Sequence, residues 1–336
     1  MQSDVIARTA EQTDPSQVPG AVVDASRLKL PVWAIVLLGN PLSLIGCVMF
    51  VAIVALAAFA PLLTHFDPNA MIAPLSQAPT ATHPFGTNQE GEDILSQVLY
   101  GARFSLAVGL GVGFAIAFLA TAIGMAAGYA GGWVDDTLTL LMNIFLIIPQ
   151  LPLLIVIGTY IPLHSDIAAA SALVMTAVIT LTGWAWGARV IRAQTLSLRN
   201  RDFVQAAIVT GEPAWRIIFV EMLPNMTSLI VNTVILSTMG GILTEAGLDY
   251  LGVGNVNQVT WGAMLFKAQA DSDLFMGAWW GFVFPGLAIA LTVMSMILIN
   301  NGLDAISNPR LRKVPRRKTV RSVVSPPEPA GVEAVS

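Results

Sequence analysis

The sequence predicts an all-α membrane protein with six transmembrane helices and both termini in the cytoplasm. Hydrophobic residues make up 55% of the 336 residues and charged residues only 11%, against roughly 25% charged residues in soluble domains. Six long apolar stretches contain no Asp, Glu, Lys or Arg. A bilayer core about 30 Å thick needs about 20 apolar residues in a helix, so each stretch has room for one span.

The N-terminal residues 1–30 are polar, mixed in charge and without helical periodicity, which is typical of a disordered cytoplasmic tail. They do not form a secretory signal, because acidic residues interrupt the start, where such a signal is basic. We therefore interpret 41–61 as a first transmembrane helix that is retained as an anchor. Residues 62–101 follow as an external loop, and 68–89 within it are rich in Pro, Thr, Ser and Gln.

Residues 102–305 form the predicted core of the protein. A charged segment punctuated by Gly and Pro, 189–225, interrupts this core. The uncharged stretch 250–266 is too short, and carries too much Gly and Asn, to cross the membrane. Residues 306–336 form a basic tail. The five further spans are predicted near 104–128, 138–161, 167–187, 226–248 and 276–300.

The distribution of basic residues predicts the orientation. A cytoplasmic N-terminus places 15 of the 17 Lys and Arg residues inside and leaves only Arg103 and Lys267 outside, in accord with the positive-inside rule. The tail sequence RLRKVPRRKTVR is also compatible with nucleic-acid binding. Beside a final span, however, it more simply retains the helix end at the anionic inner leaflet. We expect membrane lipid, and no nucleic acid, as its partner.

The sequence contains no features of an enzyme. It has no G-x-x-x-x-G-K-[ST] phosphate loop, no nucleophile–base pair, and no ligand-like spacing among its three histidines and one cysteine, so no metal site is expected. No span carries an ionisable residue near its centre. This disfavours an ion-coupled carrier, although backbone carbonyls at broken helices can also bind Na⁺.

The segment 201–225 has the pattern of two short helices on the inner membrane surface. Asp202 begins the first, Gly211 offers a backbone conformation with φ > 0, and Pro213 suits the first turn of the second. Pro224 is then expected to break the second helix. An apolar face at i, i+3, i+4 and i+7 suits a partner groove or lipid, and a plain interfacial connector would share the pattern. The face consists of Trp215, Ile218, Phe219 and Met222.

The motif Q-A-A-x3-G-x11-L-P in this segment resembles the coupling loop of bacterial ABC importer permeases. Three further segments resemble the dipeptide, oligopeptide and nickel permeases, and among them the DppC/OppC-type subunit: 83–109, 251–265 and 285–312. The resemblance covers roughly 41–313. It implies the type I ABC importer permease fold and a location in the cell (inner) membrane.

The resemblance also implies partners and residue roles. A second, homologous permease subunit would complete a heterodimer, two cytoplasmic ATPase domains would hold ATP and Mg²⁺, and a solute-binding protein would deliver short peptides from outside. This chain itself would have no cofactor and no catalytic residue. The residues implied in coupling to the ATPase are Gln205, Ala206, Ala207, Gly211, Glu212, Trp215, Arg216, Leu223 and Pro224.

Three residues depart from the family pattern. Gln205 replaces the usual Glu of the coupling loop, which puts a salt bridge to the ATPase in doubt but not docking itself. Glu92 and Gln97 occur in the outer segment where relatives often carry Arg, and we expect them to alter contact with the binding protein.

Polar or aromatic residues within the spans are candidates for the translocation pathway, because such residues either line a cavity or bond between helices. Alternative functions are import of nickel or another small solute, or, from a different class, a stand-alone channel or secondary carrier. The pathway candidates are Asn143, Gln150, Trp186, Asn232 and Ser237.

Overall fold

A computed structural model of the chain describes residues 40–160, 168–254 and 258–307. The predicted N-terminal tail and all but the first two residues of the C-terminal tail lie outside these ranges. The described part is helical, with no strand beyond one isolated β-bridge. A π-helix, Ile217–Met222, and a 3-10 turn, Leu223–Met226, join the helix Ala214–Arg216 to the helix Thr227–Tyr250. The α-helices are α1 (Pro41–Ala58), α2 (Ala60–Leu63), α3 (Ile94–Ala130), α4 (Gly132–Ile147), α5 (Gln150–Tyr160), α6 (Ala168–Arg199), α7 (Asp202–Val209), α8 (Ala214–Arg216), α9 (Thr227–Tyr250), α10 (Trp261–Ala270) and α11 (Trp280–Ser307).

The helices confirm the predicted all-α membrane fold. Five of them are long and apolar enough to span a membrane: α1, α3, α6, α11 and the continuous helix Ala214–Tyr250. The candidate for the sixth span is a bent pair, in which α4 and α5 meet at an angle of 82°. The break contains Pro149, whose ring and missing N–H prevent a straight helix from continuing.

Two helices extend beyond their predicted boundaries. α3 begins at Ile94, within the predicted external loop, and α6 continues to Arg199 and so includes the first eleven residues of the predicted coupling loop. At 1.5 Å per residue, the 37 residues of α3 measure about 55 Å, well over the roughly 30 Å of hydrocarbon. The charged residues at these ends therefore lie on helical extensions outside the bilayer core, where sequence patterning indicated loops.

Small residues allow the close packing of α3 against α6. A Cβ atom added at Gly124 would lie 2.6 Å from the carbonyl oxygen of Ala188, and one at Gly128 would lie 2.7 Å from Cβ of Thr195. Helices in lipid gain little from the hydrophobic effect and associate instead through such close van der Waals contact. Gly124 and Gly128, four residues apart, thus form a small-x-x-x-small pair that packs α3 against α6.

The opposite side of α3 packs against α9 in the same way. Added Cβ atoms at Gly109 and Gly241 would clash with Ile242 and Val112, respectively. α3 is therefore the central helix, and it connects the two ends of the bundle. One end, called the coupling end, carries α7 and α8. The other, called the distal end, carries residues 64–93 and α10.

We predict that Gly124→Leu destabilises the protein far more than Gly240→Leu. Gly240 lies in α9 with nothing within 4 Å of an added Cβ atom. Overpacking costs about 1–3 kcal/mol, whereas a substitution in open space changes stability by about 0.5 kcal/mol or less. Thermal unfolding of the detergent-purified chain measures the difference. Equal effects of the two variants would contradict the packing described.

Candidate coupling surface and translocation pathway

The turn between α7 and α8 depends on Gly211. The N–H of Glu212 donates to the carbonyl of Ala207 at 3.1 Å, and the N–H of Gly211 donates to the carbonyl of Ile208 at 3.1 Å. This pair of bonds is the Schellman motif, whose left-handed position favours glycine. Gly211 has φ of +79° and open space around it, so backbone conformation, and not crowding, requires glycine here.

Pro224 does not break the second helix, contrary to the sequence-based prediction. The backbone widens instead into the π-helix 217–222, in which the N–H of Leu223 donates to the carbonyl of Ile218, five residues earlier. A proline has no N–H to donate and its ring crowds the carbonyl four residues before it. The π-helix and the 3-10 turn accommodate both effects. α8 therefore continues directly into the membrane span formed by α9.

The predicted apolar face of the second helix is split by this π-helix. Trp215 and Phe219 remain exposed, at 63% and 61%, but Met222 is fully buried. The wider helical turn rotates the later residues away from the positions that α-helical spacing predicts. Exposed apolar residues on α7 extend the surface instead. We call the whole set the docking face: Phe203, Ile208, Val209, Trp215, Phe219 and Val220.

The inner side of the same segment is fixed to the spans. Val204 and Ala207 of α7, and Ile217 of the π-helix, pack in one apolar cluster with Met125 of α3 and Ile191 of α6. Burial of each large side chain is worth about 1.5–3 kcal/mol. The segment that carries the docking face is therefore packed firmly against α3 and α6.

Gln205 is engaged within the chain. Its side-chain amide donates to the carbonyl oxygen of Arg199, the last residue of α6, at 2.8 Å. An ionised Glu only accepts hydrogen bonds, so it could not satisfy this carbonyl. The departure from the usual family residue thus supplies a C-terminal cap for α6.

Glu212, which is half-buried, and Arg216, which is exposed, form an ion pair with 3.5 Å between Oε2 and Nε. Such a pair is worth less than about 1 kcal/mol. Ala206 is exposed and Leu223 is half-buried. The structure thus brings all nine predicted coupling residues into one segment, while their contact with a partner stays a prediction.

Three of the predicted pathway residues lie around the bent span. Asn143 of α4 accepts a hydrogen bond from the guanidinium of Arg189 on α6. Gln150, the first residue of α5, donates to Thr182 of α6 at 3.4 Å. Trp186 of α6 is 57% exposed. Irregular backbone at membrane depth occurs where it lines a cavity or is buried in protein. The region around the bent span therefore stays a candidate for the translocation pathway.

The other two candidates lie elsewhere. Asn232 of α9 donates to Asn300 of α11 at 3.0 Å, so it makes a contact between helices. Ser237, on α9, is half-buried. The structure therefore does not gather the five predicted residues around one channel, and their role in the pathway stays a prediction.

The family follows from comparison with known proteins. Residues 120–313 match the model of the binding-protein-dependent transport system inner membrane component, and residues 32–82 match the N-terminal transmembrane domain of oligopeptide transport permease C. The chain belongs to this permease family. It is therefore a multi-pass inner membrane protein and a transport component.

Curated relatives cover most of the permease. It is 33% identical over 280 residues, or 81% of this chain and 87% of the relative, to the dipeptide transport system permease protein DppC of Alkalihalophilus pseudofirmus. It is 28% identical over 293 residues, or 86% of this chain and 93% of the relative, to the oligopeptide transport system permease protein OppC of Bacillus subtilis. It is 30% identical over 262 residues, or 77% of this chain and 87% of the relative, to the oligopeptide transport system permease protein OppC of Mycobacterium bovis.

Glu92 and Gln97 of the permease are unavailable for surface contact, contrary to the expectation that they alter binding-protein docking. Both are 3% exposed. The amide of Gln97 donates to Oε2 of Glu92 at 2.6 Å, and Nζ of Lys267 lies 3.3 Å from the same oxygen. The two departures from the family pattern therefore compensate one another inside the distal end.

Lys267 also pairs with Glu90 at 2.7 Å. The Lys267 ammonium lowers the pKa of Glu90 by hydrogen bonding and charge, against the effect of burial. Burial alone would lower the pKa of Lys267, but the bonds and charges of Glu90 and Glu92 outweigh it and raise that pKa. Glu90 and Lys267 are thus held charged around neutral pH.

Sequence reasoning missed two buried acids near the distal end of α9. Glu245 and Asp249 are 0% and 1% exposed. Ser105 donates to Glu245 at 3.2 Å, and Thr260 donates to Asp249 at 2.5 Å. Their spacing of four residues placed them on one helix face. In the sequence, Glu245 stands at the end of an uncharged stretch, a position that does not distinguish a buried acid from one at the boundary of a span.

Proposed function

We propose that this permease is the transmembrane subunit of an ATP-driven, binding-protein-dependent importer of short peptides. The observation that carries the proposal is an exposed apolar docking face on a segment that is packed onto two membrane spans. Relatives named as dipeptide and oligopeptide permeases, which match over most of both chains, support the substrate class.

Three kinds of partner complete the proposed importer. Two cytoplasmic ATPase domains bind the docking face and supply ATP and Mg²⁺, since this chain has no phosphate loop. A second, homologous permease covers exposed apolar residues of α3 and α6, among them Phe118 and Leu181. A solute-binding protein delivers the peptide at the distal end. The positive-inside distribution of basic residues supports this orientation.

The proposed mechanism is rigid-body coupling. When ATP draws the ATPase domains together, the docking face moves with them, and the buried cluster around Ile191 and Ile217 transmits the movement to α3 and α6. A packed core of this kind does not deform continuously. The spans therefore tilt as units and switch the pathway between inward- and outward-facing states, as in other rigid-body transitions.

We predict ATP-dependent uptake of a labelled tripeptide by the complete complex in vesicles, and its loss in Gly211→Val. A β-branched residue is strained at φ of +79° by about 1–3 kcal/mol, so α7 and α8 lose their relative orientation. Uptake should fall about tenfold, whereas ATP hydrolysis and assembly persist, which is the signature of uncoupling.

Gly211→Asn is the matched control, because asparagine tolerates the left-handed conformation. It should retain most of the uptake. Full uptake by Gly211→Val would contradict the coupling role. Uptake by this chain without ATPase subunits would instead support a secondary carrier or channel.

We predict that Trp215→Ala detaches the ATPase subunits more than Gln205→Ala does. Truncation of a Trp anchor costs about 2 kcal/mol or more, or about 30-fold in affinity. The side chain of Gln205, in contrast, donates its hydrogen bond within the chain, to Arg199. Pull-down of the ATPase by the purified permease measures both. Trp133→Ala, at an exposed Trp of the same end, should have no effect. An equal or larger loss with Gln205→Ala would refute the assignment.

A further inference from the structure

The distal end contains a cavity with polar groups on its wall. Its volume is about 400 Å³, and its lining includes Tyr100 and Arg103 of α3, Asn69 of the preceding loop, Ala172 of α6, and Gln258. Sites for small ligands typically measure about 300–1,000 Å³ and combine apolar walls with a few polar groups. The cavity therefore has the size and the composition of a small-ligand site.

A second distal cavity has the opposite character. It measures about 410 Å³ and lies between α1, α3 and α11, but every residue that lines it is apolar, including Leu95, Trp261 and Phe284. Such a groove suits lipid chains or packing against another helix. The two cavities have nearly the same volume, so the polar groups of the first are not a general property of this end of the bundle.

Arg103 is the distinctive group of the polar cavity. Among the residues that the structure describes, no carboxylate forms an ion pair with it. Its guanidinium carbon lies 6.0 Å from the centre of the Tyr100 ring, at the outer limit of a cation–π contact. Lys267, the other basic residue of the distal end, is already held by Glu90 and Glu92.

An arginine that has no acidic partner among the described residues and lines a cavity is suited to an anion. Its planar fork of donors matches a carboxylate bidentately, and hydrogen bonds of this charge-assisted kind are the strong ones. Asn69 and Gln258 add neutral donors and acceptors on the same wall. Every peptide with a free C-terminus carries a carboxylate there, whatever its sequence, so a site for this group accepts many peptides.

We propose that Arg103 binds the C-terminal carboxylate of the peptide as it enters the permease. This inference rests on the proposed peptide-import function and adds to it a recognition site on the permease itself. The guanidinium holds the carboxylate, while Tyr100 and Phe104 offer apolar surface to the last side chain. Selection by the binding protein is then followed by a second test for a free C-terminus.

The test compares uptake of one tripeptide with uptake of its C-terminal amide. The complete complex, with its binding protein, is reconstituted in vesicles, and the ratio of acid to amide uptake is measured for each variant. Because every variant receives peptide from the same binding protein, that protein's own preference cancels when the ratios are compared. Hydrolysis of ATP stimulated by the binding protein verifies that each complex is assembled.

Arg103→Gln should lower uptake of the free acid about tenfold and leave uptake of the amide nearly unchanged, the loss expected for one charge-assisted hydrogen-bonding group. Arg103→Lys should give an intermediate ratio, because it keeps the charge without the fork. Lys267→Gln removes the other distal positive charge and should leave the ratio as in the unaltered chain.

A second variant keeps the proposal testable if Arg103→Gln does not assemble. Ala107→Glu places a carboxylate one helical turn from Arg103 on the same wall and should also lower acid uptake more than amide uptake. Equal losses of acid and amide uptake in these variants would overturn the proposal and indicate that Arg103 contacts lipid head groups. Uptake of neither peptide by the unaltered complex would overturn the proposed function itself.

Discussion

The close approach of α3 to α6 and α9 is the contact on which the rest of the structure depends. In lipid, helices cannot gain stability by hiding apolar surface from water, so they associate where small residues let backbones meet. Gly124 and Gly128 serve this purpose toward α6, and Gly109 toward α9. The bent span, the coupling segment (residues 201–225) and the distal loops all attach to this three-helix unit.

In the proposed mechanism, the coupling segment acts through that unit. Its buried side chains join α3 and α6 in one cluster, while its exposed ones form the docking face. The π-helix before Pro224 has a structural consequence here, because it lets α8 run unbroken into α9. In the proposed mechanism, force applied at Trp215 reaches the α3–α6 pair through packing and α9 through the backbone itself.

Much of the fold could be predicted from the sequence. Gaps between charged residues located six candidate spans, and a pattern of Gly and Pro located the two short helices α7 and α8. The helical extensions outside the membrane were not, because charged residues near Arg199 resemble a loop in sequence. Nor was the mutual burial of Glu92 and Gln97, which depends on contact with Lys267 far along the chain. The predicted helix break at Pro224 was wrong for a local reason, because the backbone forms a wider π-helix before the proline.

The central claim is that the coupling segment moves as one body with α6. Spin labels at Asp202 and Leu173, both exposed and at opposite ends of the bundle, test it in the complete complex with Cys47 replaced by Ser. Their separation, measured by double electron–electron resonance, should be the same with and without trapped ATP. The distance from Asp202 to a label on the second permease should change. An Asp202–Leu173 distance that changes as much as the distance between subunits would contradict the account.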